Sequence, residues 1–130
     1  MEKGKLYLAN RYVYELSIED EDNTVVINVA RKPIFGINKH YLELAPSKKL
    51  TDWYTKNKKK EDWFKEYKKK YKEQIQNDKE ALASMRQIKH DYLDKGMNVM
   101  LVCYCREVKK CHRKILGEAY EATGIEVIYR

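Results

Sequence analysis

Apolar and polar positions alternate along this chain in patterns whose period changes from segment to segment, and each change marks an element. Residues 5–10 (KLYLAN) and 12–18 (YVYELSI) carry the aromatic and branched residues of strands, and the acidic, polar run 19–23 reads as a turn. Residues 24–30 (TVVINVA) are almost continuously apolar, as suits a strand covered on both faces. Pro33, Gly36 and Pro46 then break the pattern, so residues 31–46 read as loop with one extended piece. Ser47 is placed to cap a helix over 48–55. In a second helix, 60–76, Trp63 or Phe64, Tyr67, Tyr71 and Ile75 recur every three or four residues and form one apolar stripe. A third, 78–94, starts at Asp78, aligns Leu82, Met85, Ile88 or Lys89 and Tyr92, and stops at Gly96.

Residues 97–105 (MNVMLVCYC) read as a hydrophobic central strand, 111–124 as a helix closing on Gly124, and 125–130 as a final strand. Strand, helix, strand is a βαβ unit, whose crossover is right-handed and whose strands are parallel. The pattern predicts an α/β domain with helices on the sheet faces. Its 130 residues, 1–130, suit one domain with one core, and neither internal repeats nor a linker interrupt it.

The net charge of +7 is unevenly spread. Nine lysines against four acids fall within 56–73, which leaves Lys65, Lys68, Lys69 and Lys72 off the apolar stripe of the second helix. A solvated amphipathic face explains this, and a nucleic-acid or acidic-protein surface is the functional alternative. The stretch lacks the arginines that would recognise phosphate through two parallel bonds. No apolar run approaches the roughly 20 residues of a membrane span, and nothing at the N-terminus reads as an export signal. The expected setting is cytoplasmic, with no membrane partner and with the three cysteines as thiols.

All three cysteines lie in LVCYCREVKKCHRKIL, residues 101–116. The predicted elements put Cys103 and Cys105 at the carboxyl end of a strand and Cys111, His112 and Arg113 at the start of a helix, the place where open α/β sheets bind ligands. The helix amides and Arg106, Lys109, Lys110 and Arg113 favour an anion there. Three readings stay open. Cys111, its pKa lowered by the helix dipole and by neighbouring cations, could be a nucleophile, although adjacent helical residues point about 100° apart and His112 need not reach its sulfur. Cys103, Cys105, Cys111 and His112 would suffice for zinc, although their spacing is not a standard finger or ribbon. Or Cys103 and Cys111 fill the core while His112 and Arg113 hold an anion or the loop. A phosphate-transferring cysteine loop and a glycine-rich phosphate loop are both absent, as is the C-x-x-C of disulfide exchange.

INVARKPI, ELAPSKKLTDWY, FKEYKKKYKEQI and VMLVCYCREVKKCHRKILGEAYEATGIEV, in this order, resemble the bacterial and phage domain-of-unknown-function family 488, which includes YeaO-like proteins. The resemblance spans nearly the whole chain and rests most on LAPS (44–47), on Tyr67 with Tyr71, and on the Cys-His-Arg triplet 111–113. It implies a three-layer Rossmann-like fold with a mostly parallel sheet and helices on its faces. It also implies one site around Arg31, Pro46, Ser47, Tyr67, Tyr71, Cys103, Cys111, His112 and Arg113. Many relatives carry an acid where this chain has Cys105, which removes one acid or base. The resulting expectation is an anionic, nucleotide-like or nucleic-acid-derived ligand bound by Arg31, Ser47, Tyr67, Tyr71 and Arg113. Cys111 and His112 are the candidate catalytic pair, and no cofactor is assigned. The alternative is a non-catalytic binding module using the lysine-rich helix.

Overall fold

The computed structural model describes residues 2–105, 107 and 110–130; the charges expected of Arg106 and Lys109 lie outside them. Among the described residues, nine strands and α-helices follow one another: β1 (Leu6–Asn10), β2 (Thr24–Asn28), β3 (Lys39–His40), α1 (Lys48–Asn57), α2 (Trp63–Gln76), α3 (Lys79–Asp91), β4 (Asn98–Cys103), α4 (His112–Glu121) and β5 (Val127–Tyr129). The five strands form one sheet in the order β3-β2-β4-β1-β5, every neighbouring pair parallel. The α/β Rossmann-like fold is therefore present.

Strand alternation divides the core. Leu6, Leu8, Ile27, Val99, Leu101 and Cys103 face one way and join Leu50, Tyr71, Ile88 and Leu116, so that all four α-helices pack on this side. Tyr7, Ala9, Met100 and Val102 face the other way and are covered by Tyr14 and Ile34 from the chain after β1 and the loop after β2. These segments, the sheet and the helices make three layers. Both sides of β4 are covered, which is why its sequence is apolar without alternation.

Most element boundaries follow local chemistry. Ser47 Oγ accepts the Leu50 amide and caps α1, and Asp78 accepts the amides of Glu80 and Ala81 to cap α3. After α3 a short 3-10 turn, Leu93–Lys95, ends on Gly96 at φ 85°, a conformation glycine adopts without a Cβ clash. On α2, Tyr67, Tyr71 and Ile75 are buried as the stripe required. Lys65, Lys69 and Lys72 are exposed, whereas Lys68 is half-buried and pairs with Glu118 at 2.9 Å. The strand expected over 12–18 does not form. Asn10 Oδ1 accepts the amides of Tyr12 and Val13 and turns the chain at once, and a 3-10 turn, Glu15–Ser17, follows.

The connection leaving β2 runs to β3 on one side, and that leaving β4 runs through α4 to β5 on the other. The crevice outside the carboxyl ends of β2 and β4 is thus the switch point of the sheet, the usual ligand position in such folds. Among the described residues, no helix is long and apolar enough to cross a membrane.

Candidate functional site

A cleft of about 820 Å³ opens at this switch point, within the size range of small-molecule sites. One wall is the loop after β2, with Ala30, Arg31 and Lys32. The opposite wall holds Thr51 and Tyr54 of α1 with Trp63 and Tyr67 of α2. Pro46, Cys103, Tyr104, Cys105, Glu107, Lys110, Cys111 and His112 supply the rest. Three cations, Arg31, Lys32 and Lys110, stand against one carboxylate, Glu107. The aromatic wall is itself ordered: Trp63 meets Tyr54 edge-on at 5.0 Å and Tyr67 at 5.7 Å, and Tyr67 stacks on Tyr71 at 6.4 Å.

The β2 loop keeps its shape through side chains. Asn28, buried at the strand end, donates to the Lys32 carbonyl and accepts the Ala30 amide. The next two carbonyls are each taken by a histidine: Val29 by His112 Nε2 at 2.8 Å and Ala30 by His40 Nε2 at 2.6 Å. His40, an isolated histidine in sequence, is therefore a brace of the loop. Arg31 reaches across to the Pro46 carbonyl at 3.1 Å.

Cys111 occupies the N-cap of α4 in an extended conformation, φ −135° and ψ 153°. It is not yet a helical residue, so the 100° separation expected of helical neighbours does not apply, and His112 Nδ1 lies 3.5 Å from Cys111 Sγ. The carbonyl of Val29 can only accept, so Nε2 carries a proton and Nδ1 is left to face the sulfur. Arg113 Nε donates to the same sulfur at 3.4 Å, and Cys103 Sγ lies 3.2 Å away. Cys103, His112 and Arg113 thus lie against Cys111 Sγ, whereas Cys103 meets other thiols, those of Cys111 and Cys105. Burial alone would raise the Cys111 thiol, but hydrogen bonds from Cys103 and Cys105 and the charge of His112 outweigh it and hold the thiol well below its ordinary value. Burial and the neighbouring thiols push Cys103 the opposite way. Burial opposes protonation of His112, yet the adjacent Cys111 anion raises its pKa to about 10. These directions favour a thiolate on Cys111 facing an imidazolium on His112, with the Arg113 guanidinium beside them.

The ligand atoms of Cys103, Cys105, Cys111 and His112 all lie within 4.8 Å of one another, a spacing that a thiophilic cation could bridge. The close pair argues for a hydrogen bond instead. Two thiolates on tetrahedral zinc stand about 3.8 Å apart for bonds of about 2.3 Å, whereas Cys103 and Cys111 are at 3.2 Å with Arg113 occupying a further side of the sulfur.

Of the residues singled out from sequence, Arg31, Pro46, Tyr67, Cys103, Cys111 and His112 come together on the cleft. Tyr71 and Arg113 lie behind it. Tyr71 is wholly buried, donates to the Leu44 carbonyl at 2.6 Å and meets the His112 ring edge-on at 5.5 Å. Arg113 is wholly buried, with Nη2 on the Cys105 carbonyl at 2.8 Å and no partner for Nη1 among the described residues. Ser47 spends its hydroxyl on the α1 cap and sits outside the cleft lining. Sequence reading missed Asn28, His40, Tyr54 and Tyr104 as parts of the site. The asparagine two residues before the Ala30–Arg31 turn was a signal for the first, and the others depend on tertiary packing.

A family model described as "Active DUF488-N3 subclade" matches residues 10–124. No curated protein and no solved structure matches the chain.

Proposed function

The chain belongs to the DUF488 family, and from that premise we propose that its cleft binds an anionic, nucleotide-like or nucleic-acid-derived ligand, which Cys111 attacks as a thiolate. The observation that carries this reading is the set of groups around Cys111 Sγ, with Cys103, His112 and Arg113 at 3.2, 3.5 and 3.4 Å, on the wall of a cationic cleft. Arg31, Lys32 and Lys110 suit phosphate oxygens, and the faces and edges of Tyr54, Trp63 and Tyr67 suit a base. The reading supposes a reducing, cytoplasmic setting in which the thiols persist.

The two catalytic groups are coupled. Cys111 Sγ forms the new bond while the leaving group departs with its electron pair. Consuming the thiolate removes the charge that holds the His112 pKa near 10. Burial then disfavours the imidazolium, and Nδ1 releases its proton toward the leaving group. Arg113 touches the sulfur and not the cleft, so it acts as a positioning residue.

Iodoacetamide at about pH 7 should alkylate Cys111 faster than free cysteine, because the thiolate is the reactive form. A nucleoside 5′-phosphate should protect it, and Arg31→Ala should weaken that protection about tenfold, a loss of about 1.4 kcal/mol. Labelling no faster than free cysteine would refute the nucleophile, and protection by no phosphorylated nucleoside would refute the ligand class.

A further inference from the structure

We propose that Cys103 and Cys111 form a reversible dithiol–disulfide pair, oxidised by hydroperoxides that enter through the cleft, so that Cys111 is also a site of oxidative modification. The inference rests on the thiolate reading of Cys111, and its geometry is separate. The two sulfurs are 3.2 Å apart, and both residues are only 1% exposed. One ends β4 and the other caps α4, so both backbones are fixed by regular structure. A disulfide of about 2.05 Å needs the sulfurs to close by only about 1 Å, within the reach of small side-chain rotations. Both residues line the cleft, which gives a small oxidant a path to buried sulfur. Cys105 belongs to the same cluster but is exposed and lies beyond the end of β4, where no strand hydrogen bonds hold it.

The chemistry balances in two steps. Cys111 thiolate attacks the terminal oxygen of a hydroperoxide: an S–O bond forms, the O–O bond breaks, and the departing alkoxide or hydroxide takes up a proton. The sulfur is oxidised by two electrons to a sulfenic acid and the peroxide is reduced. The Cys103 sulfur then attacks Cys111 Sγ. An S–S bond forms, the S–O bond breaks, and the hydroxide leaves with the Cys103 proton as water. Oxidation consumes the nucleophile and also removes the anion that His112 and Arg113 neutralise.

The test uses the 130-residue chain, reduced, freed of reductant and treated with one equivalent of hydrogen peroxide. Intact mass should fall by two hydrogens, one thiol should stay titratable after unfolding, and dithiothreitol should reverse both changes. Peptide mapping should join the Cys103 and Cys111 peptides, and Cys105→Ser should form the same link. Cys103→Ser should stop at a Cys111 sulfenic acid that dimedone captures. A link through Cys105, or a reduced protein that peroxide leaves unchanged, overturns the proposal. If peroxide has no effect while iodoacetamide still labels Cys111 rapidly, the disulfide alone fails. If neither reagent reacts, the thiolate reading fails with it.

Discussion

A guanidinium taken out of water is costly unless an anion or several acceptors meet it, and Arg113, wholly buried, meets one sulfur and one carbonyl. Among the described residues, no carboxylate forms an ion pair with it. On the proposed thiolate reading Cys111 supplies the missing charge, which ties the protonation of one residue to the burial of another. Arg113→Ala should therefore destabilise the fold by about 3–5 kcal/mol, the usual cost of removing one partner from a buried pair. Urea unfolding checks this, and a loss under about 1 kcal/mol would mean that the sulfur is not charged. Sequence alone put Arg113 on the ligand, because a helix-start arginine beside a cysteine looks like an anion contact. Its complete burial depends on tertiary packing, which no local spacing encodes. The Cys111–His112 contact was likewise illegible, since it depends on Cys111 being extended at the cap and not helical.

Elements were read more readily than their contacts. The stripe of α2, the caps Ser47 and Asp78, the Gly96 stop and the apolar β4 were all visible, because each follows from residues within one or two turns. The segment 12–18 misled because its aromatic and branched residues are strand-like, while one asparagine side chain at the end of β1 turns the backbone away. Ser47 separates the two roles that sequence could give it. Ser47→Ala should cost about 1 kcal/mol through the lost cap and leave nucleoside-phosphate affinity unchanged, as measured by urea unfolding and by equilibrium binding. A large loss of affinity with unchanged stability would move the hydroxyl from the helix to the ligand.

For the whole molecule, the ion pair makes stability depend on pH in a defined way. Cys111 is depressed in the fold, so its contribution is complete above its ordinary value and is lost as pH falls. His112 is raised, so its contribution is complete below its ordinary value and is lost as pH rises through about 10. Between about pH 6.5 and about pH 9 the two trends cancel, because the folded pair and the unfolded neutral groups hold the same number of protons. The pair's contribution should be flat across that window and fall on both sides, and Cys111→Ser should remove the alkaline limb while leaving an acid limb from the buried neutral imidazole, when stability is followed by denaturant unfolding.

The most direct measurement is the ultraviolet absorption of thiolate across a pH titration, comparing the reduced protein with Cys111→Ser. One thiolate per chain should persist below about pH 6, far under the ordinary thiol range, and should vanish in the variant. Thiolate appearing only above about pH 8 in both proteins would mean that Cys111 is an ordinary buried thiol, and the proposed chemistry of the cleft would fall with it.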